Sequence, residues 1–354
     1  MTQYGVNKGL KLYKDRGAEA IIKEPKQLDE TGSVEPRKMT EAEKLGALRY
    51  LMFLKEKRCG RIKGRGCADG RKQREYINKE EASSPTVSTE ALMLSCIVDA
   101  REEREVATLD IPGAFLHARM DEKVIMRIDG AMADLLVKIN PEKYKPFLEK
   151  QRGKPVIFVQ LKNALYGTLK AALLFWQHLS NNLVQKWGFK LNPYDRCVAN
   201  KLINGKQCTI LWHVDDLKIS HVDPNVIEDI ISKLDKAYGQ NKDTPLAIHR
   251  GKTHDYQGMT IIFSEKGKVV FTMFKYIQEI IDESPEEFVG KAETPAATHL
   301  FEVDDEKKPI KEKKSRLYHH LTTKLLYLCK RARPDMQTAV SFLCTRVKAS
   351  TEDN

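Results

Sequence analysis

Two adjacent carboxylates, Asp215 and Asp216, stand in the middle of ILWHVDDLKIS (210–220), a stretch whose other residues favour extended strands. Thr209 to Trp212 before them and Leu217 and Ile219 after them alternate as the two arms of a half-buried hairpin do. Neighbouring carboxylates in a partly buried place repel each other and stay ionised only beside something cationic. Any fold of this chain must therefore either place the pair at a solvated turn, where Asp is common, or bring a cation to it, and a metal is the natural candidate. The rest of the chain decides between the two.

The chain has 354 residues, 41% of them hydrophobic, enough for one large domain or two to three smaller ones with a buried core. Its 60 Lys and Arg against 49 Asp and Glu give a net charge of +11, a balance that suits polyanionic partners such as nucleic acid. Much of it is local: KRCGRIKGRGCADGRKQR (57–74) holds eight bases against Asp69 alone. Its four glycines suggest a flexible basic loop laid along phosphates, with a solvated charged face as the plainer alternative. The seven cysteines are scattered and never form CxxC, which predicts reduced thiols and, for Cys59 and Cys67, no zinc finger. No apolar run predicts a membrane span or a signal peptide, so a cytoplasmic or nuclear location is expected.

Along the chain, residues 1–40 predict a loose lead-in, and Leu45, Leu48, Leu51, Met52 and Leu54 recur at helical spacing over Glu41 to Lys57. Further helices are expected over 88–102, 169–187, 225–239, 317–330 and 334–347. Strands are expected over 105–111, 123–128, 155–161, 197–203, the Asp-Asp hairpin, YQGMTIIF and KVVFTM. KAETPAATH (291–299) reads as a linker. This irregular alternation predicts an α+β fold on an antiparallel sheet. RGKT (250–253) lacks the first glycine of a phosphate-binding loop, and His249 and His254, with no ligand partner in the sequence, are expected at the surface.

TLDIPGAFLH supplies a third acid. Asp110 closes an apolar run ahead of Pro112-Gly113, and Phe115 follows five residues on. If Asp110 and Asp215 lie on neighbouring strands, they can share two Mg²⁺ with Asp216 completing the cluster. Such ions, roughly 3.5 to 4 Å apart, stabilise both oxygens of an in-line phosphoryl displacement, and Mg²⁺ takes hard carboxylate ligands rather than scattered histidines.

The ordered series LDIPGAFLH, VQLKNALYGTLKAALLFW, HVDD, YQGM and RARPDMQTAV, running from about Leu45 to Val347, resembles the reverse transcriptase of copia-type LTR retrotransposons. The resemblance implies a right-hand polymerase: fingers and an antiparallel palm over 41–285, then a small thumb- or connection-like helical segment over 286–354 that ends before an RNase H domain. It implies an RNA-directed DNA polymerase that adds dNTPs to a primer on an RNA or DNA template, in the cytoplasm (in virus-like particles) or nucleus, with no membrane partner. Asp110, Asp215 and Asp216 would be the catalytic, metal-binding acids, served by Mg²⁺ with Mn²⁺ as a substitute. Phe115 would lie under the incoming sugar and exclude a 2′-hydroxyl, while Arg65, Lys72 and Lys170 would contact the nucleotide. Tyr256, Gln257, Gly258 and Met259 would grip the primer end. The chain departs from the family pattern at His213, where Tyr or Phe is usual, at Lys170 for Gln, at Ala172 for Pro, and at Gln257 for an apolar residue. These departures keep a second expectation open, a degenerate remnant that binds nucleic acid without catalysis.

Overall fold

Between Leu45 and Leu54 the apolar residues fit two periods at once, and the chain takes the shorter one. A computed structural model describes residues 3–57, 60–239, 245–285, 290, 292–296, 298–303 and 307–351. Of the stretch Glu41 to Lys57, only Glu41–Gly46 is helical (α2), capped by Thr40 in a box with Glu43. Leu48–Glu56 is a strand (β1) with Leu48, Tyr50, Met52 and Leu54 buried at every second position. Helical spacing of leucines is thus a coincidence of a strand that carries apolar residues on both faces.

The described part of the expected lead-in over 1–40, residues 3–40, is not loose. Val6–Glu30 forms α1, broken by non-helical backbone at Lys14, and buries Tyr13, Ala20, Ile21 and Leu28. It lies so close to the sheet that a Cβ on Gly9 would fall 2.7 Å from Leu54 Cδ1. The basic stretch is not a loop either: Ile62–Ala68 is a strand (β2) paired antiparallel with β1, Phe53 opposite Arg65. A Cβ on Gly64 would sit 2.4 Å from the Ala20 carbonyl oxygen of α1, and one on Gly66 2.1 Å from the Tyr50 hydroxyl. These glycines give close packing, not flexibility. Cys59 lies outside the described residues; those described, Cys67 among them, are free thiols.

The chain divides into two compact units, each assembled from separated stretches. The first takes Met1–Thr86, Ile111–Lys201 and Ser232–Ala247. Its seven-stranded sheet runs Gln3–Gly5, β1, β4 (Arg119–Asp129), β5 (Lys154–Asn163), Val34–Pro36, with β2 beside β1 and Glu149–Gln151 beside β5. Its neighbouring strands pair antiparallel except β1 with β4, which are parallel. Helix α4 (Ala171–Asn181) stops sooner than the expected 169–187 and continues as a π-turn over Asn182–Lys186.

The second unit takes Val87–Asp110, Leu202–Ile231 and Ile248–Asn354. Helix α3 (Thr89–Arg101) starts where Ser88 accepts the Ala91 amide, as its cap residue predicts. Strand β3 (Glu105–Asp110) pairs with β7 (Asp216–His221), which pairs in turn with β6 (Lys206–His213), all antiparallel. Helix α5 (Pro224–Tyr238) contributes to both units. A second, three-stranded sheet holds β8 (Thr253–Tyr256), β9 (Met259–Glu265) and β10 (Lys268–Thr272). The β9–β10 turn docks on the end of α3, where the Gly267 amide donates to Ala100. Helices α6 (Phe274–Glu283), α7 (Glu312–Cys329) and α8 (Gln337–Arg346) complete it, and Glu283 binds both Lys324 and His320 of α7. Part of the KAETPAATH segment lies outside the described residues.

Candidate active site

The register of three strands assembles the acids. Asp216 opens β7 directly opposite Asp110, the last residue of β3, and opposite His213, the last of β6. Val214 and Asp215 are the two residues of the β6–β7 hairpin loop, so Asp215 sits at its apex beside Asp216. Of these two only Val214 has positive φ, at 60°. That is the pattern of a two-residue turn whose first central position normally holds Gly. A β-branched residue held there costs about 1–3 kcal/mol, a strain that persists only where surroundings over-determine it.

The charges crowd. Asp216 remains open to solvent along one side, yet its carboxyl is pushed up to about 6 by lost hydration and by the fields of Asp215 and Asp110. Because the residue keeps solvent access, the mutual repulsion of the three acids is the firmer of the two causes. Among the described residues no group of three or more His, Cys, Asp or Glu side chains is gathered tightly enough to hold a metal unaided.

Behind these strands lies a buried ionic network that the sequence did not announce. Lys218, two residues after Asp216 and 1% exposed, donates to Asp99 and, at 3.0 Å, to Ser95 of α3. Arg104 lies 3.8 Å from Asp99 and donates to Thr209 of β6 at 3.2 Å. Paired charges of this kind are held in place by their partners, and removing one partner leaves an uncompensated buried charge. His254 is not at the surface: it is 1% exposed, its Nδ1 3.2 Å from the Thr108 hydroxyl and its Nε2 2.8 Å from the Gly251 carbonyl. His249 is the exposed one, 2.6 Å from the Thr253 carbonyl.

The YQGM segment is a tight turn rather than one strand. Tyr256 ends β8, Met259 starts β9, and Gln257 and Gly258 between them have φ of 48° and 78°. Tyr256 is 4% exposed and its hydroxyl donates to the Asp216 carbonyl at 2.9 Å, so the structure brings this segment to the acids.

The other four candidates belong to the first unit. Phe115, half-buried in a 3₁₀ turn over Ala114–His117, has its ring centroid 4.4 Å from that of Tyr166 and 6.3 Å from that of Phe175. Arg65, exposed on β2, lies over the same Tyr166 ring at 4.9 Å. Tyr166 therefore joins two candidates and was not singled out by the sequence, although the ALYG run containing it was. The glycine of that run explains itself: a Cβ on Gly167 would meet the Ala68 carbonyl at 2.0 Å. Lys72 donates to the Leu45 carbonyl at 2.8 Å, and Lys170 pairs with Asp121 at 3.2 Å, so both ammonium groups have protein partners.

Residues 41–287 match the family described as reverse transcriptase (RNA-dependent DNA polymerase). The Retrovirus-related Pol polyprotein from transposon TNT 1-94 of Nicotiana tabacum is 25% identical over 286 residues, 79% of this chain but 20% of that protein. A putative transposon Ty5-1 protein of Saccharomyces cerevisiae is 25% identical over 238 residues, 66% of this chain and 68% of that protein. The yeast Transposon Ty1-GR3 Gag-Pol polyprotein is 25% identical over 292 residues, 82% of this chain and 15% of the polyprotein. The chain thus spans a fifth or less of either polyprotein. Among solved structures, the foamy viral protease-reverse transcriptase in complex with double-stranded DNA is similar at a TM-score of 0.39, with 11% identity over 96% of this chain and 49% of that one. With more than half of its length matched, the chain belongs to the reverse transcriptase family, of the copia type.

Proposed function

We propose that this chain is an RNA-directed DNA polymerase of a copia-type element, extending a primer with dNTPs on an RNA or DNA template. The observation that carries the reading is the register that sets Asp110 opposite Asp216, with Asp215 at the apex of the adjoining hairpin. Three acids drawn from two separate stretches of sequence repel one another, and divalent cations remove that repulsion. The donor set, carboxylate oxygens only, fits Mg²⁺, with Mn²⁺ as a substitute. Asp110, Asp215 and Asp216 would hold the ions, with substrate phosphates completing the ligands that the protein alone does not supply. When bound, two such ions supply charge stabilisation to the attacking and leaving oxygens.

The chain's own residues then orient the reactants. Phe115, backed by Tyr166 and Phe175, presents a ring that would exclude a ribose 2′-hydroxyl by contact. Lys170 and Lys72 would exchange Asp121 and the Leu45 carbonyl for triphosphate oxygens, with Arg65 alongside. On this reading residues 41–285 make the fingers and palm, and residues 286–354 a thumb- or connection-like segment.

Primer extension tests it: oligo(dT) on poly(rA) with dTTP and Mg²⁺. The parent extends the primer. Asp215→Asn lowers kcat by about 10²-fold or more, the order lost when charge stabilisation is removed from a transition state, while primer-template binding persists. Phe115→Ala raises the use of ribonucleotides relative to dNTPs. A parent that binds primer-template and adds nothing with either Mg²⁺ or Mn²⁺ would instead be the binding-only remnant.

A further inference from the structure

The strained hairpin that carries Asp215 and Asp216 needs something to hold it, and two tyrosine hydroxyls in the second unit do so in series. The first is Tyr256. Its side chain is turned inward, 4% exposed, and donates to the Asp216 backbone carbonyl at 2.9 Å. The second is Tyr327 of α7, whose hydroxyl donates to the Gln257 carbonyl at 2.9 Å. Gln257 follows Tyr256 in a turn where both central residues have positive φ. Gly258 is needed there twice over: its φ is 78°, and a Cβ would fall 2.8 Å from the Tyr327 oxygen. The Tyr327 ring is itself fixed, with the Arg331 guanidinium 3.7 Å from its centroid and the Tyr276 ring tilted against it at 5.2 Å.

We propose that Tyr256 and Tyr327 are positioning residues, a two-step strut from helix α7 through the Gln257-Gly258 turn to the Asp215–Asp216 hairpin. The reading of those acids as the reacting centre is the one argued above, and the strut rests on it only for its catalytic consequence. A phenol donating to a main-chain carbonyl gives the site no proton and no charge; it fixes the backbone that carries the Asp216 carboxylate. Val214 holds a backbone conformation its side chain disfavours, and the Tyr256 hydrogen bond at the next residue but one opposes its relaxation. Tyr256 thus has a duty distinct from any grip on the primer, and a shift of α7 is transmitted to the acids.

The test uses the full chain and reads the strut without needing activity. In Tyr256→Phe, which removes only the hydroxyl, amide exchange over residues 211–217 accelerates about tenfold, the worth of one lost hydrogen bond, while Tm stays within about 2 °C. Tyr327→Phe accelerates exchange over 255–259 and, to a smaller extent, over 211–217. Tyr318→Phe, which removes a comparable hydroxyl donated to the Leu343 carbonyl elsewhere on α7, changes neither segment. In primer extension, Tyr256→Phe lowers kcat about tenfold and leaves KM for dTTP and primer-template affinity within twofold.

Unchanged exchange over 211–217 in Tyr256→Phe overturns the proposal. An effect of Tyr327→Phe confined to 255–259 removes the link to α7 and overturns the two-step form. A loss that falls on KM instead of kcat assigns Tyr256 to substrate contact and overturns positioning. If the parent does not polymerise, the exchange experiment still decides the strut, and only the catalytic reading falls.

Discussion

His254 shows how a single side chain is read differently once its strand is known. Along β8 the residues alternate, with Thr253 and Asp255 exposed and His254 and Tyr256 buried. Its Nε2 donates to the Gly251 carbonyl, which leaves Nδ1 to accept from the Thr108 hydroxyl, so the partners fit a neutral ring. Burial pushes its pKa down; the Gly251 carbonyl opposes this, His249 and Lys218 reinforce it, and Asp99 opposes it. The folded pKa is therefore below that of the unfolded chain, near 6.5, and protons favour unfolding. The stability this histidine confers is complete above about pH 6.5 and declines as pH falls through that value toward the folded pKa. Tm measured from pH 8 to 5 should fall more steeply for the parent than for His254→Gln, and parallel curves would remove His254 from the account. In the sequence two histidines five apart carry no sign of this, because the partner of His254, Thr108, lies 146 positions away and only the fold brings the two together.

At the scale of elements, α1 and β2 decide what the basic stretch is. Gly64 faces the Ala20 carbonyl so closely that even a methyl group must move backbone. Gly64→Ala should therefore destabilise the protein by about 1–3 kcal/mol, the range for overpacking a fitted interior, and expose α1 to proteolysis. Urea unfolding and limited digestion check both; a stability unchanged within about 0.5 kcal/mol would mean that the helix yields freely. Strands β3, β5, β6 and β7, short apolar runs buried on both faces, were legible in advance, as was α3 with its Ser88 cap. β1 reads as a helix because its half-exposed Leu51 falls at helical spacing from Leu45 and Leu48, a period supplied by accident. The basic run was misread because glycine next to arginine suggests a flexible loop unless one knows which helix lies against it. In the candidate site, the five motifs and the identities of the acids could be found in the sequence, whereas the opposition of Asp110 and Asp216 and the hydroxyl of Tyr256 depend on pairings that no local pattern encodes.

At the scale of the molecule, the question is where the net charge of +11 acts. Arg61, just before β2, and Lys63 and Arg65 within it are exposed at alternate positions while Gly64 and Gly66 are buried against α1 and Tyr50. The three bases therefore share one face, spaced by about 6.6 Å, two residues of extended strand. Lys72, Lys170 and Arg71 are turned to the Leu45 carbonyl, Asp121 and Asp69, so nearby charge is already partly engaged. If this face tracks a phosphate backbone, each contact releases counterions, and affinity falls with salt by about 0.7 to 0.9 in log–log slope per phosphate neutralised. Replacing Arg61, Lys63 and Arg65 together with Gln should lower that slope for primer-template by about 2 to 3, with little dependence on sequence. Lys308, Lys311 and Lys313, exposed before and at the start of α7, allow a control of equal charge change. Were net charge the cause, both triple variants would lose the same slope; if the strand face is the cause, only the first does. A first variant that loses affinity at an unchanged slope would place its effect in packing around Tyr166, where Arg65 rests, and would separate the basic face from nucleic acid.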